Sequence, residues 1–219
     1  MPEARLMAAL VILTGLLALF ISLADEVLEG ETHVFDAAIL QALRRGDAGS
    51  PIGPAWMEQS MMDITAMGGF TVITLISLLS MGYLMLRKRW VSAGLIVVSG
   101  AGGTLLNHLL KTHFERPRPD LVSHLVEVST LSFPSGHAMS SAIMYLTLGA
   151  LLARSQSSRA IKTYILVSAI FVTALVGMSR VYLGVHWPTD VLAGWCLGAT
   201  WAIACLLVVG LLNRYLTQK

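Results

Sequence analysis

LMAALVILTGLLALFISLA, from Leu6 to Ala24, runs for nineteen residues without a charge. A bilayer core about 30 Å thick takes about 20 residues of helix to cross. This run is therefore long enough to span, and it decides the fold class. Ser22-Leu23-Ala24 resembles a cleavage site. The apolar run, however, is longer than the roughly 7–15-residue core of a secretory signal. We expect an uncleaved transmembrane helix. In lipid every backbone polar group needs an internal partner, which leaves helices or a closed barrel, and no period-two alternation suggests a barrel.

Five more apolar segments follow, at about 66–86, 91–110, 137–153, 163–178 and 189–212. The expected fold is all-α, a six-transmembrane-helix bundle forming a single integral-membrane domain over residues 1–219. Composition agrees. The 219-residue chain is 55% hydrophobic and 13% charged, where soluble domains carry about 25% charged residues. A net charge of +2 without a basic run gives no reason to expect nucleic acid as a partner. Cys196 and Cys205 share one apolar segment, roughly 13 Å apart along a helix. That is too far for a disulfide, and both read as small buried hydrophobes. The sequence carries no signature of a particular oligomeric state.

Lysine and arginine placement gives an orientation. Arg5, Arg87, Lys88, Arg89, Arg154, Arg159, Lys162, Arg214 and Lys219 fall on one side of the six segments. Arg44, Arg45, Lys111, Arg116, Arg118 and Arg180 fall on the other. The expectation is a multi-pass protein of the cell (inner) membrane with both termini cytoplasmic and the second face turned to the periplasm or exterior.

Between the first two spans lies a polar stretch, Asp25 to about Thr65. Val34, Ala37, Ala38, Leu40 and Leu43 follow helical spacing, which predicts a short amphipathic helix near Thr32–Arg45 on the outer surface. Thr32 or Asp36 is its expected cap. The helix either covers the bundle or admits lipid to it, and Gly46–Pro51 reads as a plain loop.

Three blocks carry the chemistry, all at the outer ends of the last four spans. Lys111-Thr-His-Phe-Glu-Arg-Pro-Arg118-Pro119 supplies a point charge and, seven residues on, a planar guanidinium that suits phosphate oxygens. In Pro134-Ser135-Gly136-His137, Ser135 is a natural N-cap and Gly136 lets a ligand approach the backbone. The helix N-terminus there attracts anions. In Ser179-Arg180-Val-Tyr-Leu-Gly-Val-His186-Trp-Pro-Thr-Asp190, a carboxylate four residues past a histidine can fix its tautomer and present the other ring nitrogen as a nucleophile. Each block alone has a bland reading: a basic loop, a capped helix, an interfacial His–Asp pair. Their convergence on one face points to an anion site.

These blocks resemble, position by position, the type 2 phosphatidic acid phosphatase (PAP2) superfamily: Lys-x6-Arg-Pro, Pro-Ser-Gly-His and Ser-Arg-x5-His-x3-Asp. The resemblance covers about residues 111–190 and is to the membrane-bound lipid phosphatase branch. It implies that His186 attacks phosphorus to form a phosphohistidine and that Asp190 orients it. His137 would protonate the leaving oxygen and then activate water. Lys111, Arg118, Arg180, Ser135 and Gly136 would bind the phosphoryl oxygens. It implies neither a metal nor a cofactor.

Outside these positions, Asn107 and His108 are polar residues in apolar surroundings, read as second-layer support for the site or as helix–helix hydrogen bonds. His113, Glu115 and Arg116 suggest a salt bridge or a lipid-headgroup contact. Glu58, Gln59 and Asp63 read as a cap or as cavity lining. Trp56, Trp187 and Tyr182 read as interfacial belt anchors, and Gly68-Gly69 and Gly102-Gly103 as close-packing points.

The expected function is metal-independent dephosphorylation of a lipid phosphate or diphosphate at the outer interface, with membrane lipids as surroundings. Undecaprenyl diphosphate is the first expectation, followed by phosphatidylglycerophosphate, phosphatidate and lipid A phosphate. A phosphotransferase with the same intermediate and a non-catalytic, transporter-like phosphate-binding bundle are the alternatives.

Overall fold

The computed structural model describes residues 3–46 and 49–217, with side chains at Arg5 and from residue 213 onward outside the description. Lys219 and the tip of the 46–51 loop thus lie outside the described residues. Eight helices occur among those described: α1 (Glu3–Glu29), α2 (His33–Ala42), α3 (Ala55–Ala66), α4 (Phe70–Leu86), α5 (Trp90–Phe114), α6 (Gly136–Arg154), α7 (Arg159–Tyr182) and α8 (Pro188–Thr217). Five are individually long and apolar enough to cross a membrane, and α3 with α4 makes a sixth span bent by 47° at Met67–Gly69. The six-span bundle is as expected. Helices α1 and α5 run past their apolar segments, to Glu29 and Phe114.

Helix α6 sits at the centre, packed by α5, α7 and α8, while α1 lies along α8. Between lipid-immersed helices no hydrophobic drive operates, so close backbone approach matters. On α8, Gly194 faces the Ser135 carbonyl and Ala138, and Gly198 one turn later faces Met139 and Ala142. A Cβ at Gly68 or Gly103 would likewise collide with Val176 or Ile143, so the paired glycines noted in the sequence are close contacts. A buried cluster of Phe20, Phe133, Met139, Ile143, Ala193 and Leu197 joins α1, α6, α8 and the chain before α6. Cys196 and Cys205 are free and buried.

The 25–65 stretch departs from expectation in three ways. First, neither Thr32 nor Asp36 caps α2: Thr32 holds the N-cap position without a side-chain cap bond. Second, the inward face of α2 is Thr32, Asp36 and Leu40, at i, i+4 spacing, while Val34 is 81% exposed. Leu40 is fully buried in one cluster with Val122, Ala138, Val181, Trp187 and Val191, so this face of the helix packs on the bundle. Third, the supposed plain loop ends in a strand pair, β1 (Arg44–Arg45) with β2 (Ser50–Pro51), antiparallel. Buried Arg44 ties this pair to α7 by donating to the Tyr182 carbonyl at 3.0 Å.

Candidate active site

Four helix ends meet on one face: the C-termini of α5 and α7 and the N-termini of α6 and α8. They enclose a cavity of about 480 Å³ lined by, among others, Lys111, Arg118, Gly136, His137, Arg180 and His186. The three sequence blocks therefore do converge. Lys111 projects from the last turn of α5, which ends at Glu115 in a left-handed conformation (φ 47°). The chain beyond it carries Arg116 to Asp36 and Asp190 and Arg118 to Thr130 and His186.

Asp190 lies in the first turn of α8 and is fully buried, four residues beyond His186, which is 1% exposed. Its Oδ2 accepts from the Trp187 N–H at 2.9 Å, from His186 Nδ1 at 3.2 Å and from the Ser132 hydroxyl. Its Oδ1 accepts from Arg116 NH1 at 2.6 Å. The bond to Trp187 is a helix-capping contact, a third-position acid reaching back to the cap residue. The same carboxylate thus fixes the helix start and the imidazole.

The tautomer follows from the donors. Arg118 NH1 lies 3.2 Å from His186 Nε2. A guanidinium only donates, so Nε2 is an acceptor whose lone pair faces Arg118, and the proton sits on Nδ1, shared with Asp190. Burial, and then the charges of Arg118, Arg180 and Lys111, hold the His186 pKa well below 6.5. The ring is neutral at neutral pH, and His186 lines the cavity.

The cations around it are held by loop and helix oxygens. Lys111 Nζ donates to Thr130 Oγ1 at 3.1 Å and to the Leu131 carbonyl. Arg118 Nε donates to the Thr130 carbonyl at 2.6 Å, and its NH1 also reaches the Val185 carbonyl. Arg180, 3% exposed, donates to Thr65 Oγ1 at 3.1 Å. Among the described residues, two buried groups in these blocks have no hydrogen-bond partner, Arg180 Nε and Ser135 Oγ. Ser135 occupies the N-cap of α6 as expected, yet its hydroxyl makes no cap bond. Buried polar groups are rarely left unsatisfied, and a phosphoryl oxygen is a fitting acceptor for such donors. His137 stands in the first turn of α6 on the same cavity.

Asn107 Nδ2 donates to the Pro134 carbonyl at 3.4 Å, bracing the turn that carries Ser135 and Gly136, and it lines the cavity. His108 lines the cavity as well. Arg116 makes the expected salt bridge, but to two carboxylates, Asp190 and Asp36. Trp187 and Tyr182 are not belt anchors. They are 5% and 3% exposed, with Trp187 donating to the Pro117 carbonyl at 3.0 Å and Tyr182 to the Ile52 carbonyl at 2.8 Å. Trp56, by contrast, is 70% exposed. Glu58, Gln59 and Asp63 lie within α3, where Gln59 donates to Asp63 at 3.0 Å.

Sequence reading missed Ser132, Thr130, Thr65 and Asp36. The first three are ordinary hydroxyl residues with no local signal. Asp36 carried one, a carboxylate at i+4 from Thr32 and i−4 from Leu40, which places it on the stripe that α2 buries.

The PAP2 superfamily model matches residues 90–214. Phosphatidylglycerophosphatase B of Bacillus subtilis (strain 168) is 40% identical over 147 residues, covering 65% of this chain and 70% of that protein. An undecaprenyl-diphosphatase of Sulfolobus acidocaldarius is 34% identical over 93 residues, 42% of this chain and 36% of that protein. The crystal structure of the first transmembrane PAP2-type phosphatidylglycerolphosphate phosphatase from Bacillus subtilis superposes with a TM-score of 0.81 at 31% identity, covering 90% of this chain and 94% of that one. A purely binding, transporter-like bundle is set aside by relatives that are named phosphatases. The chain is an integral membrane enzyme that belongs to the PAP2 superfamily, in its membrane-bound lipid phosphatase branch.

Proposed function

We propose that the enzyme hydrolyses a lipid phosphomonoester of the phosphatidylglycerophosphate type through a phosphohistidine at His186. The observation that carries the mechanism is the His186 ring itself: buried, neutral, hydrogen-bonded to Asp190 through Nδ1, and presenting Nε2 to a cavity ringed by Lys111, Arg118 and Arg180. As the phosphoryl group enters, its oxygens take over the Arg118 guanidinium, which frees the Nε2 lone pair. Nε2 then bonds to phosphorus while the phosphorus–oxygen bond to the lipid breaks. His137 gives that oxygen its proton. The charge that grows on Nδ1–H is met by Asp190, and the charge on the equatorial oxygens by Lys111, Arg118, Arg180, Ser135 and the N–H groups of α6. In the second step His137 takes a proton from water, which displaces His186 from phosphorus.

Phosphatidylglycerophosphate is favoured because a relative 40% identical and matched over 70% of its own length carries that activity in its name. Undecaprenyl diphosphate is the second reading, supported by the 34% identity to an undecaprenyl-diphosphatase. Transfer of the phosphoryl group to a second lipid would use the same intermediate. The positive residues on the opposite helix ends, Arg87 to Arg89, Arg154, Arg159 and Lys162, support cytoplasmic termini and an outward site. All of residues 1–219 would form this one unit.

The test is phosphate release by detergent-purified protein from phosphatidylglycerophosphate, undecaprenyl diphosphate, phosphatidate and lipid A phosphate, with excess chelator present. Fastest release from phosphatidylglycerophosphate, lost in His186→Ala, is expected. Faster release from undecaprenyl diphosphate would replace the substrate, and full activity in His186→Ala would overturn the mechanism.

A further inference from the structure

The carboxylate that holds His186 is itself held by a chain of contacts leading out of the known blocks. Arg116 is a branch point between two fully buried carboxylates. Its NH1 donates to Asp190 Oδ1 at 2.6 Å and to Thr189 Oγ1 at 2.9 Å. Its NH2 donates to Asp36 Oδ2 at 2.8 Å and to Thr32 Oγ1 at 3.0 Å. Its guanidinium carbon lies 5.4 Å from the Trp187 ring centroid. Asp36 then returns to the helix that carries Asp190: its Oδ1 accepts the Thr189 N–H at 2.9 Å, and its Oδ2 accepts the Thr189 hydroxyl at 2.6 Å. Asp36 therefore caps α8 from α2, one residue before Asp190.

This arrangement is more than a brace between α2 and the bundle. A surface ion pair contributes little, whereas removing one member of a buried set leaves an uncompensated charge. The guanidinium is planar, and its two ends fix two carboxylates at a set distance, which an ammonium cannot do. Asp190 can orient His186 Nδ1 only if its own plane is fixed, and three of its four donors, Arg116, Ser132 and the Trp187 N–H, lie outside His186. Charge matters as well as position. Asp36 shares the Arg116 charge, so Asp190 keeps more of its negative potential toward the imidazole, which becomes more positive as Nε2 bonds to phosphorus.

We infer that Arg116 and Asp36 are positioning residues for the His186–Asp190 pair, so that α2 is a working part of the active site. The inference rests on the proposed nucleophilic role of His186. The expected effect falls on the chemical step: Asp36→Asn lowers kcat roughly tenfold to a hundredfold, the scale seen when a partner orienting a reactive group is lost, with KM little changed. Arg116→Lys, which keeps the charge but not the fork, falls between wild type and Arg116→Ala.

The experiment is a double-mutant cycle on phosphatidylglycerophosphate in mixed micelles, with kcat and KM measured per folded enzyme for wild type, Asp36→Asn, Asp190→Asn and the double variant. If Asp36 acts through Asp190, its substitution costs less than twofold in the Asp190→Asn background. A merely structural role would leave the two effects multiplicative, and that result overturns the inference, as does an Asp36→Asn kcat within twofold of wild type or a loss seen only in KM. If Asp36→Asn does not accumulate folded, Arg116→Lys takes its place in the cycle under the same criteria. His186→Ala is run alongside. Activity retained there removes the mechanism itself, a failure distinct from multiplicative effects in the cycle.

Discussion

Gly194→Ala adds one methyl group at the point where the two halves of the site meet. Its Cβ would stand 2.7 Å from the Ser135 carbonyl oxygen, 3.0 Å from Ala138 Cβ and 3.2 Å from the Met139 nitrogen. Ordinary contact begins near 3.4 Å, and two of these neighbours are backbone atoms that no rotamer change can move. The helices must therefore part by about 0.7 Å at this level, at an overpacking cost of about 1–3 kcal/mol. The damage reaches the chemistry directly. Ser135 N–H donates to the Asp190 carbonyl at 3.0 Å, across the same crossing. Parting α6 from α8 separates Ser135, Gly136 and His137 from His186 and Asp190. A misplacement approaching 1 Å can cost about a hundredfold in rate. We expect kcat on the best lipid substrate to fall by roughly ten- to a hundredfold and the thermal midpoint in detergent to drop. Gly82→Ala serves as the control, because among the described residues nothing lies within 4 Å of its added Cβ, and it should leave kcat unchanged. A Gly194→Ala enzyme within twofold of wild-type kcat would show that the α6–α8 spacing does not set the site geometry.

Other outcomes follow from single groups. Asp190→Asn keeps the shape but favours the wrong imidazole tautomer, so kcat should fall by on the order of a hundredfold or more, and steady-state kinetics showing a change only in KM would count against it. Arg118→Lys removes the fork facing Nε2 and should lower kcat/KM by about tenfold or more, checked on the same lipid panel. The depressed His186 pKa has a signed consequence. Below 6.5 the unfolded chain takes up a proton that the folded ring refuses, so stability is lost as pH falls through that value. Relative to His186→Gln, wild-type unfolding free energy should decline by about 1.4 kcal/mol per pH unit on the acid side. Parallel thermal midpoints for the two proteins in acid would contradict this.

How much of this could be read from the chain alone depends on the range of the contact. The spans were visible because twenty apolar residues have only one use in a lipid environment, and the motif residues because their spacing placed them at helix ends facing one way. Boundaries were less visible. Helix α1 continues to Glu29 and α5 to Phe114 because residues such as Glu26, Glu29 and Lys111 favour helix whether or not lipid surrounds them. The bend between α3 and α4 was also hidden, since Gly68-Gly69 reads equally well as packing. In the site, His186 and Asp190 are four residues apart and local reasoning sufficed. Ser132 reaches Asp190 from 58 residues away and Thr189 reaches Asp36 from 153, and no local pattern joins them. Trp187 and Tyr182 were misplaced for the same reason: an aromatic near an interface belongs to the belt only if no loop covers it, and here the chain around Pro117 and Ile52 does.

A phosphohistidine at His186 is tested most directly by quenching the enzyme with alkali during turnover of a phosphate-labelled lipid and locating the label by mass spectrometry of its peptides. A phosphoramidate survives base and is lost in acid. Label is expected on the peptide containing His186 and absent in His186→Ala. Label on another residue, or equal label without His186, would contradict it.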